Sequence, residues 1–226
     1  MRIFSKAALN LGLISCLGIA QQVSAASLDF TCISSSINCS TGESQFHVDV
    51  LATSNNNEVL FNINNTGAQQ SAIEGVYFDD GTLLGISSLI QQYDAGTKTG
   101  VKFTAGSATP GELPDANNIA PAFETTAGFL ADSDSPAPKY GINPGETLGI
   151  LFNLKNASYF NDVISQLSSG DLRIGLHAQA FETGTSASFV NAPLSHLPLP
   201  PAFILLLSAL AGGLAFARTK QNSGKR

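Results

Sequence analysis

The chain has 226 residues, enough for one ordinary domain plus processing segments, and only 12% of them are charged. Tryptophan is absent and methionine occurs once, a composition typical of a secreted β-rich protein and unusual for a cytosolic enzyme. Residues 26–196 hold five basic and seventeen acidic side chains, a net charge of −12, which repels phosphates and excludes nucleic acid as a partner.

Residues 1–25 have the three parts of a secretory signal peptide. Arg2 and Lys6 form the positive start, residues 7–20 are an apolar stretch too short to span a bilayer, and residues 23–25 are small. The pattern predicts a signal helix, export, and cleavage between Ala25 and Ala26. Residues 13–16 also resemble a lipobox, which would make Cys16 an acylated first residue. The apolar run continues past Cys16, and this favours cleavage after Ala25.

Cleavage after Ala25 removes one of the three cysteines and leaves Cys32 and Cys39. Two cysteines seven positions apart near the start of an exported domain predict one structural disulfide. A metal or redox pair is the weaker alternative, because there is no CxxC motif and no histidine cluster nearby.

Apolar residues alternate with polar ones from Ser44 onward. "SQFHVDVLA" and "EVLFNIN" each place three apolar side chains on one face, and "TSNNN" between them is typical of a turn, so residues 44–64 predict a hairpin. "AIEGVYFDDG" predicts a strand ending in an acidic turn, and "TLLGISSLIQQY" predicts a strand or a short helix. Further strands are predicted at "LGILFNL", "LRIGLHAQAF" and "SASFV".

One segment has helical spacing instead. In "NASYFNDVISQLSSG" the apolar residues recur at i, i+3, i+4 and i+7, and Gly170 follows as a C-cap. Residues 106–144 are rich in Pro, Gly, Ala, Asp and Ser and predict long loops, with one edge strand near 123–130. Together the elements predict an all-β fold: an antiparallel β-sandwich of about seven to nine strands with one short helix.

No catalytic motif is found in the sequence. It has no GxSxG, HExxH, GxxxxGK[ST] or strand-linked GxGxxG pattern, and its carboxylates are not visibly paired as in hydrolases. His47 and His177 fall on the polar faces of predicted strands, without an evident nucleophile or acid partner, and are interpreted as ordinary surface residues. The chain is therefore predicted not to be an enzyme.

Two acidic loops offer the weak alternative of a calcium site. Asp79 and Asp80 end a predicted strand, and Asp132 and Asp134 have the DxD spacing that presents oxygens to Ca²⁺. Neither loop has the EF-hand spacing, and aspartate is common in turns that bind no metal. The sequence predicts no cofactor, with Ca²⁺ as the only candidate.

The carboxyl terminus, residues 197–226, has three parts. Residues 197–201 are rich in proline, residues 202–217 are uncharged and apolar, and a basic tail follows, beginning with Arg218 and Lys220. The sixteen-residue run would form a helix of about 24 Å, short for a bilayer core of about 30 Å. It predicts a transmembrane helix that holds the chain temporarily, with the basic tail on the cytoplasmic side.

This tripartite pattern resembles the PEP-CTERM sorting region of bacterial exosortase substrates. Leu197-Pro198-Leu199-Pro200 is similar to a Val-Pro-Leu-Pro variant of the motif, with Leu199 where glutamate is usual, and Pro201 follows it. The blocks "IEGVYFDD", "INPGETLGILFNL" and "SGDLRIGLHAQAF" also look like those of exported domains of such proteins. The resemblance implies a Gram-negative bacterium, an exosortase-type sorting protease, an inner-membrane intermediate, and delivery to the cell surface or extracellular matrix.

The predicted organisation is therefore a signal peptide (1–25), an exported β domain (26–196) and a sorting region (197–226). The predicted function is structural or adhesive, in the cell envelope or in a polysaccharide matrix such as a biofilm, with membrane lipid and exopolysaccharide as partners. Two alternatives remain open: a membrane-anchored periplasmic module that binds a carbohydrate or an ion, and a secreted hydrolase whose site no motif shows.

Overall fold

The computed structural model describes residues 24–91, 100–106, 112–126, 129–155 and 158–192. Most of the predicted signal peptide, Cys16 included, and the whole predicted sorting region lie outside these residues. Within the described part of the chain, no helix is long and apolar enough to cross a membrane.

The described residues form a single antiparallel sheet of ten strands with a few short helices, which confirms the all-β prediction. The strands are β1 (Ala25–Cys32), β2 (Phe46–Ala52), β3 (Glu58–Asn65), β4 (Ala72–Asp79), β5 (Leu83–Gln91), β6 (Phe103–Ala105), β7 (Leu130–Ser133), β8 (Glu146–Leu154), β9 (Arg173–Gln179) and β10 (Ala187–Asn191). Neighbouring strands follow the order β5-β8-β3-β2-β1-β10-β9-β4-β7-β6. The helices are α1 (Cys39–Gln45), α2 (Ala137–Tyr140) and α3 (Phe160–Ser169), with a 3₁₀ turn at Ala116–Asn118.

Strand β1 joins two halves of the sheet. Its first residues, from Ala25 to Asp29, pair with β2, and its last, from Phe30 to Cys32, pair with β10. We call β5, β8, β3, β2 and the start of β1 the β3 half-sheet. The end of β1 with β10, β9, β4, β7 and β6 is the β9 half-sheet.

The two half-sheets meet through a core of phenylalanine rings. Phe61 and Phe152 belong to the β3 half-sheet, and Phe78 of the β9 half-sheet lies 5.4 Å and 4.6 Å from them, centroid to centroid. All three side chains are fully buried. Burying a side chain of this size stabilises the fold by roughly 1.5–3 kcal/mol, and edge-to-face contacts add to that. The alternation of apolar and polar residues thus puts one face of each half-sheet inside.

The outer strands of the two half-sheets also approach each other, so the sheet is nearly closed. The side-chain amide of Gln91, at the end of β5, accepts from the Phe103 N–H at 3.2 Å and donates to the Phe103 carbonyl at 3.1 Å. The Gln91 amide thus makes the hydrogen bonds to Phe103 that the backbone of a neighbouring strand would otherwise make. Fewer backbone groups are left unpaired where β5 meets β6.

The predicted hairpin and helix are both present. In the hairpin, Val48 pairs with Ile63 and Val50 with Phe61, and all four side chains are buried. Helix α3 occupies Phe160–Ser169 and is followed by Gly170, whose φ of 83° is the left-handed conformation that glycine adopts readily. The segment "TLLGISSLIQQY", predicted as a strand or helix, is strand β5 over Leu83–Gln91.

Three parts of the predicted architecture need correction. The sheet has ten strands rather than seven to nine, because β1 was not predicted and β6 and β7, of three and four residues, are too short to show alternation. The described residues form three helices rather than one, and α1 and α2 are too short to show a helical period. The edge strand predicted near 123–130 is irregular through Thr126, and the strand begins instead at Leu130.

Cys32 and Cys39 form the disulfide expected from their spacing. Cys32 ends β1 and Cys39 begins α1, and their sulfurs lie 2.09 Å apart with the Cα atoms separated by 5.3 Å. The Cys32 N–H also donates to the Glu43 carboxylate at 2.9 Å. The bridge therefore attaches the end of β1 to the helix that leads into β2.

Replacing both cysteines by serine is expected to lower the free energy of unfolding by about 2–3 kcal/mol, because the closed loop limits the freedom of the unfolded chain. Urea denaturation under oxidising conditions measures this. The wild-type chain treated with a reducing agent is the control and should unfold at the midpoint of the double variant. An unchanged midpoint in both would contradict a stabilising role for the bridge.

Candidate functional site

Residues 112–126, which we call the strap, lie on the outer face of the β9 half-sheet. Leu113, Ala116 and Phe123 of the strap are buried with Ile33 and Val190 in an apolar cluster separate from the main core. A Cβ atom on Gly175 of β9 would lie 2.7 Å from the Leu113 side chain and 3.1 Å from the Phe123 ring. The strap therefore needs glycine at this position of the strand in order to pack on it.

Arg173, the first residue of β9, holds the strap by three consecutive residues. Its guanidinium donates to the carbonyl of Pro121 at 2.7 Å and to the carbonyl of Ala122 at 2.6 Å. The guanidinium carbon lies 5.3 Å from the centroid of the Phe123 ring, a cation–π contact. Asp79 accepts from the same guanidinium and fixes its orientation. We call this arrangement the Arg173 clamp.

A polar cluster lies on the same outer face of the β9 half-sheet. His177 Nδ1 lies 3.1 Å from the Ser188 hydroxyl, and His177 Nε2 lies 3.4 Å from a carboxylate oxygen of Glu74. Gln179 donates to the other oxygen of Glu74. Tyr77 lies close enough to Glu74 to interact electrostatically. The members of this outer-face cluster are Glu74, Tyr77, Asp132, His177, Gln179 and Ser188.

A β-bulge places Glu74 in the outer-face cluster. Ile73 pairs with Ala178 of β9, but the next pair is Gly75 with His177, so Glu74 is the extra residue of β4. A bulge re-aims side chains relative to the regular alternation. Here the bulge puts the Glu74 carboxylate next to His177. The alternation of polar and apolar residues in the sequence does not predict this contact.

Burial shifts the pKa values of the cluster toward the uncharged forms. It raises the pKa of Glu74 to about 7 and that of Tyr77 to about 12, with further contributions from the negative charge of Asp132. The pKa of Asp132 is itself raised by burial, and burial lowers the pKa of His177. At neutral pH the imidazole is therefore uncharged, and Glu74 is close to half protonated.

Ser188, His177 and Glu74 are the residue types of a nucleophilic triad. The Ser188 hydroxyl, however, is not accessible to a substrate. Ser188 has no exposed surface. Its N–H donates to the Ser34 hydroxyl at 2.8 Å, and that hydroxyl donates to Asp115 of the strap at 2.5 Å. No substrate carbonyl can reach the Ser188 hydroxyl in this structure. The residues instead form a chain of polar contacts from Glu74 of β4 across the sheet to Asp115 of the strap.

The two histidines have different surroundings. His177 lies on the outer face of β9, as predicted, but only 18% of its side chain is exposed because it belongs to the outer-face cluster. His47 lies on β2 in the other half-sheet, with Nε2 3.9 Å from Asp49 and 26% of its side chain exposed. The structure does not bring the two together.

The first candidate calcium loop is occupied by ion pairs. Asp79 is paired with Arg173, and Asp80 is paired with Lys155. Asp80 also accepts from the Thr126 hydroxyl at 2.9 Å. These carboxylates serve to attach β9, the strap and the end of β8 to the acidic turn.

The second candidate calcium loop separates its two carboxylates. Asp134 accepts from Lys102 at 2.7 Å and from Thr104 at 3.0 Å, and these contacts lower its pKa. Asp132 lies in the outer-face cluster instead. Across residues 24–192, as far as the structure describes them, no three His, Cys, Asp or Glu side chains are grouped so that they could hold a metal ion.

Of the predicted processing residues, only Ala25 and Ala26 belong to the part of the chain that the structure describes. The proline motif (Pro198, Leu199, Pro200 and Pro201), Arg218 and Lys220 lie outside the described residues. The predicted signal cleavage position, between Ala25 and Ala26, coincides with the start of β1, where Ala25 pairs with Leu51. The Ser24 carbonyl accepts from the Ala52 N–H at 2.9 Å.

Sequence reasoning missed Glu74, Tyr77, Ser188 and the strap. Glycine at position 75, inside an otherwise apolar strand, was the available signal for the bulge, since isolated glycines in strands often mark one. The strap carried no periodic signal, because its few apolar residues contact a sheet face rather than forming a strand or helix.

Replacing Glu74 by glutamine is expected to remove a pH dependence of stability. Because the pKa of Glu74 is raised from 4.5 to about 7, the folded chain holds this proton more tightly than the unfolded chain does. The wild-type chain should therefore lose more stability than Glu74→Gln as the pH rises from 4.5 through 7. Urea denaturation between pH 4.5 and 8 measures this. Glu182→Gln, in an exposed loop, is the control and should keep the wild-type slope.

Adding Ca²⁺ is expected to produce no heat of binding and no change in melting temperature. Asp79, Asp80 and Asp134 already pair with Arg173, Lys155 and Lys102, and Ca²⁺ requires six to eight oxygen ligands. Calorimetric titration and thermal melting of the purified chain check this. A melting temperature that rises with Ca²⁺ and returns on chelation would contradict it.

Comparison with known proteins supplies no relative. No protein-family model, no curated protein and no solved structure matches the chain. The resemblance of residues 197–226 to a PEP-CTERM sorting region stays a prediction from the sequence.

Proposed function

We propose that this chain is an exported protein of the cell envelope or extracellular matrix, sorted through residues 197–226, with a structural or adhesive role and no enzymatic activity. One observation chiefly supports this. The first and last strands, β1 and β10, are antiparallel neighbours, and the Ala192 N–H donates to the Asp29 carbonyl at 2.9 Å. Apart from Ala25, the first residue of β1, all the described elements thus lie between the two predicted processing segments, and the chain enters and leaves the fold at one end of it.

This arrangement suits a domain that is held and then released. An exosortase-type protease of a Gram-negative bacterium would cut near Pro198–Pro201, while residues 202–217 lie in the inner membrane with Arg218 and Lys220 on its cytoplasmic side. Removing residues 1–25 and 197–226 would take only Ala25 from the described strands. The remaining domain keeps its disulfide and core and would reach the cell surface or matrix intact.

We further infer that the two half-sheets form a β-sandwich whose polar outer face contacts exopolysaccharide. The Phe61–Phe78 and Phe78–Phe152 ring contacts across the core support the sandwich. On the outer face of the β3 half-sheet, a row of hydrogen-bonded polar groups crosses three strands. Asn64 donates to Asp49 at 3.0 Å and accepts from Thr147 at 2.7 Å. Asn64 itself is buried, and it orders the Asp49 carboxylate and the Thr147 hydroxyl, which are partly exposed and suit the hydroxyls of a neutral sugar chain.

A second candidate is a membrane-anchored periplasmic module that binds a carbohydrate or an ion. The outer-face cluster favours it, because groups with shifted pKa values often mark functional sites. Sedimentation of the purified chain with neutral exopolysaccharide separates the two ideas. Asp49→Ala should weaken binding if the β3 half-sheet is the contact surface, and Gln179→Ala should weaken it if the cluster is.

Processing is expected to depend on the proline motif. The native chain from the culture medium should end near Pro198–Pro201, and full-length chain should be found only in the membrane fraction. Replacing Pro198 and Pro200 by alanine should keep the chain in the membrane, because a helix could then extend into the stretch that the protease reads. Intact-mass and terminal-peptide analysis measure both.

Pro193→Ala is the matched control for processing and should leave it unchanged, since Pro193 precedes the motif. Secreted or surface chain with peptides through Arg226 would contradict the sorting proposal. An acylated Cys16 at the amino terminus would instead overturn cleavage after Ala25.

A further inference from the structure

Strand β5 forms one edge of the sheet. Among the described residues it is hydrogen-bonded to one neighbouring strand, β8, along its whole length. Its contact with the facing edge is made by its last residue, Gln91, whose side chain binds the backbone of Phe103. In an antiparallel ladder every second residue directs its N–H and C=O away from the partner strand. The far side of β5 therefore presents backbone donors and acceptors along which a further strand can add.

The two edges of the sheet differ in how they are protected. The other edge strand, β6, has only three residues, and Lys102 immediately before it forms an ion pair with Asp134 at 2.7 Å. Short length and charged side chains both discourage the addition of a strand. Strand β5 has nine residues with no charge and no proline, and its two bulges lie in its first half. From Ser88 to Gln91 its pairing with β8 is regular, so this stretch is a regular, uncharged edge.

The outer face next to this edge is apolar. Three partly exposed leucines lie side by side on neighbouring strands of the β3 half-sheet: Leu51, Leu60 and Leu151. The exposed Ser88 of β5 continues the row beside Leu151. Ile90 lies against Gly149, where an added Cβ atom would come within 2.9 Å of it, and is still 50% exposed. A strand added to β5 would extend this row and cover part of Ile90.

The charge of the domain indicates which strand fits this edge. With a net charge of −12, two copies of the domain repel each other wherever their carboxylates meet, and β5 is a place where they can approach without that cost. An antiparallel pair of identical strands is two-fold symmetric, so each donor of one copy faces the equivalent acceptor of the other. The β5 strand of a second copy therefore matches this edge in both backbone pattern and charge.

We propose that β5 pairs antiparallel with β5 of a second copy of this chain through Ser88–Ile90, which joins two β3 half-sheets into one continuous sheet. A contact of one short strand is smaller than a standard protein interface, so the pairing is weak and fills at the high local concentration of a surface or matrix. It leaves Asp49 and Thr147 on the outer face accessible. The inference goes beyond the proposed function, because the pairing requires neither processing nor sugar binding.

Hydrogen exchange at two protein concentrations tests the pairing in the purified full-length chain, kept in mild detergent. When the chain is concentrated about a hundredfold, the amides of residues 86–91 should exchange at least about threefold more slowly, because pairing protects those that face the second copy. Ser88→Lys should abolish this dependence, since two opposed lysines repel and a charge blocks the edge. Ser54→Lys puts the same charge on an exposed turn between β2 and β3 and is the matched control, which should exchange like the wild type.

The amides of the hairpin around Val48 and Phe61 verify the fold and should stay protected in every variant. Sedimentation of the same samples should show association that grows with concentration in the wild type and Ser54→Lys, and markedly less in Ser88→Lys. Exchange at residues 86–91 that does not change with concentration in the wild type would overturn the proposal, even if the chain associates, because the contact would then lie elsewhere. That result would leave processing and sugar binding untouched, since terminal-peptide analysis and sedimentation with exopolysaccharide measure them separately.

Discussion

Strand β1 is the constraint on which the rest of the fold depends. Its first residues pair with β2 and its last with β10, so one strand of eight residues connects both half-sheets. Ala26, Leu28 and Phe30 are buried in the core between them. The disulfide fixes the end of β1 to α1, and the Ala192 N–H binds beside its middle. Export processing that cut into β1 would therefore affect both half-sheets, whereas cleavage after Ala25 leaves the shared pairing in place.

The two outer faces have different surroundings, and this difference determines where a function can reside. The β3 half-sheet carries a row of polar side chains across three strands, in which the buried Asn64 joins the partly exposed Asp49 and Thr147. The β9 half-sheet carries the strap over part of its face and a polar cluster on the rest. Gly175 allows the strap to pack on the sheet, and the bulge at Glu74 brings the carboxylate into the polar cluster. A partner would meet the partly exposed Asp49 and Thr147 on one outer face and the strap on the other.

The sequence predicted the elements whose side chains alternate or recur with a clear period. The hairpin around Val48 and Val50 and helix α3 with Gly170 were found because burial on one face imposes that period. Strands β6 and β7 were not, since three or four residues cannot show one. The outer-face cluster was not predicted for a different reason. Glu74 lies next to His177 because of a bulge in β4, and Ser188 contacts His177 from another strand. Such contacts depend on register between strands distant in sequence, which a local pattern does not contain.

Arg173 connects these observations. It begins β9, pairs with Asp79 at the end of β4, and holds the strap through Pro121 and Ala122. In a domain whose net charge is −12, a cation with only 14% of its side chain exposed is unusual, and it is retained because a carboxylate and two carbonyls satisfy its donors. Lysine could not make the same contacts, because it lacks the planar fork that binds both carbonyls while the Asp79 carboxylate holds the other edge. The guanidinium thus fixes the position of the strap through two backbone carbonyls and the face of the Phe123 ring, while the Asp79 carboxylate fixes the guanidinium itself.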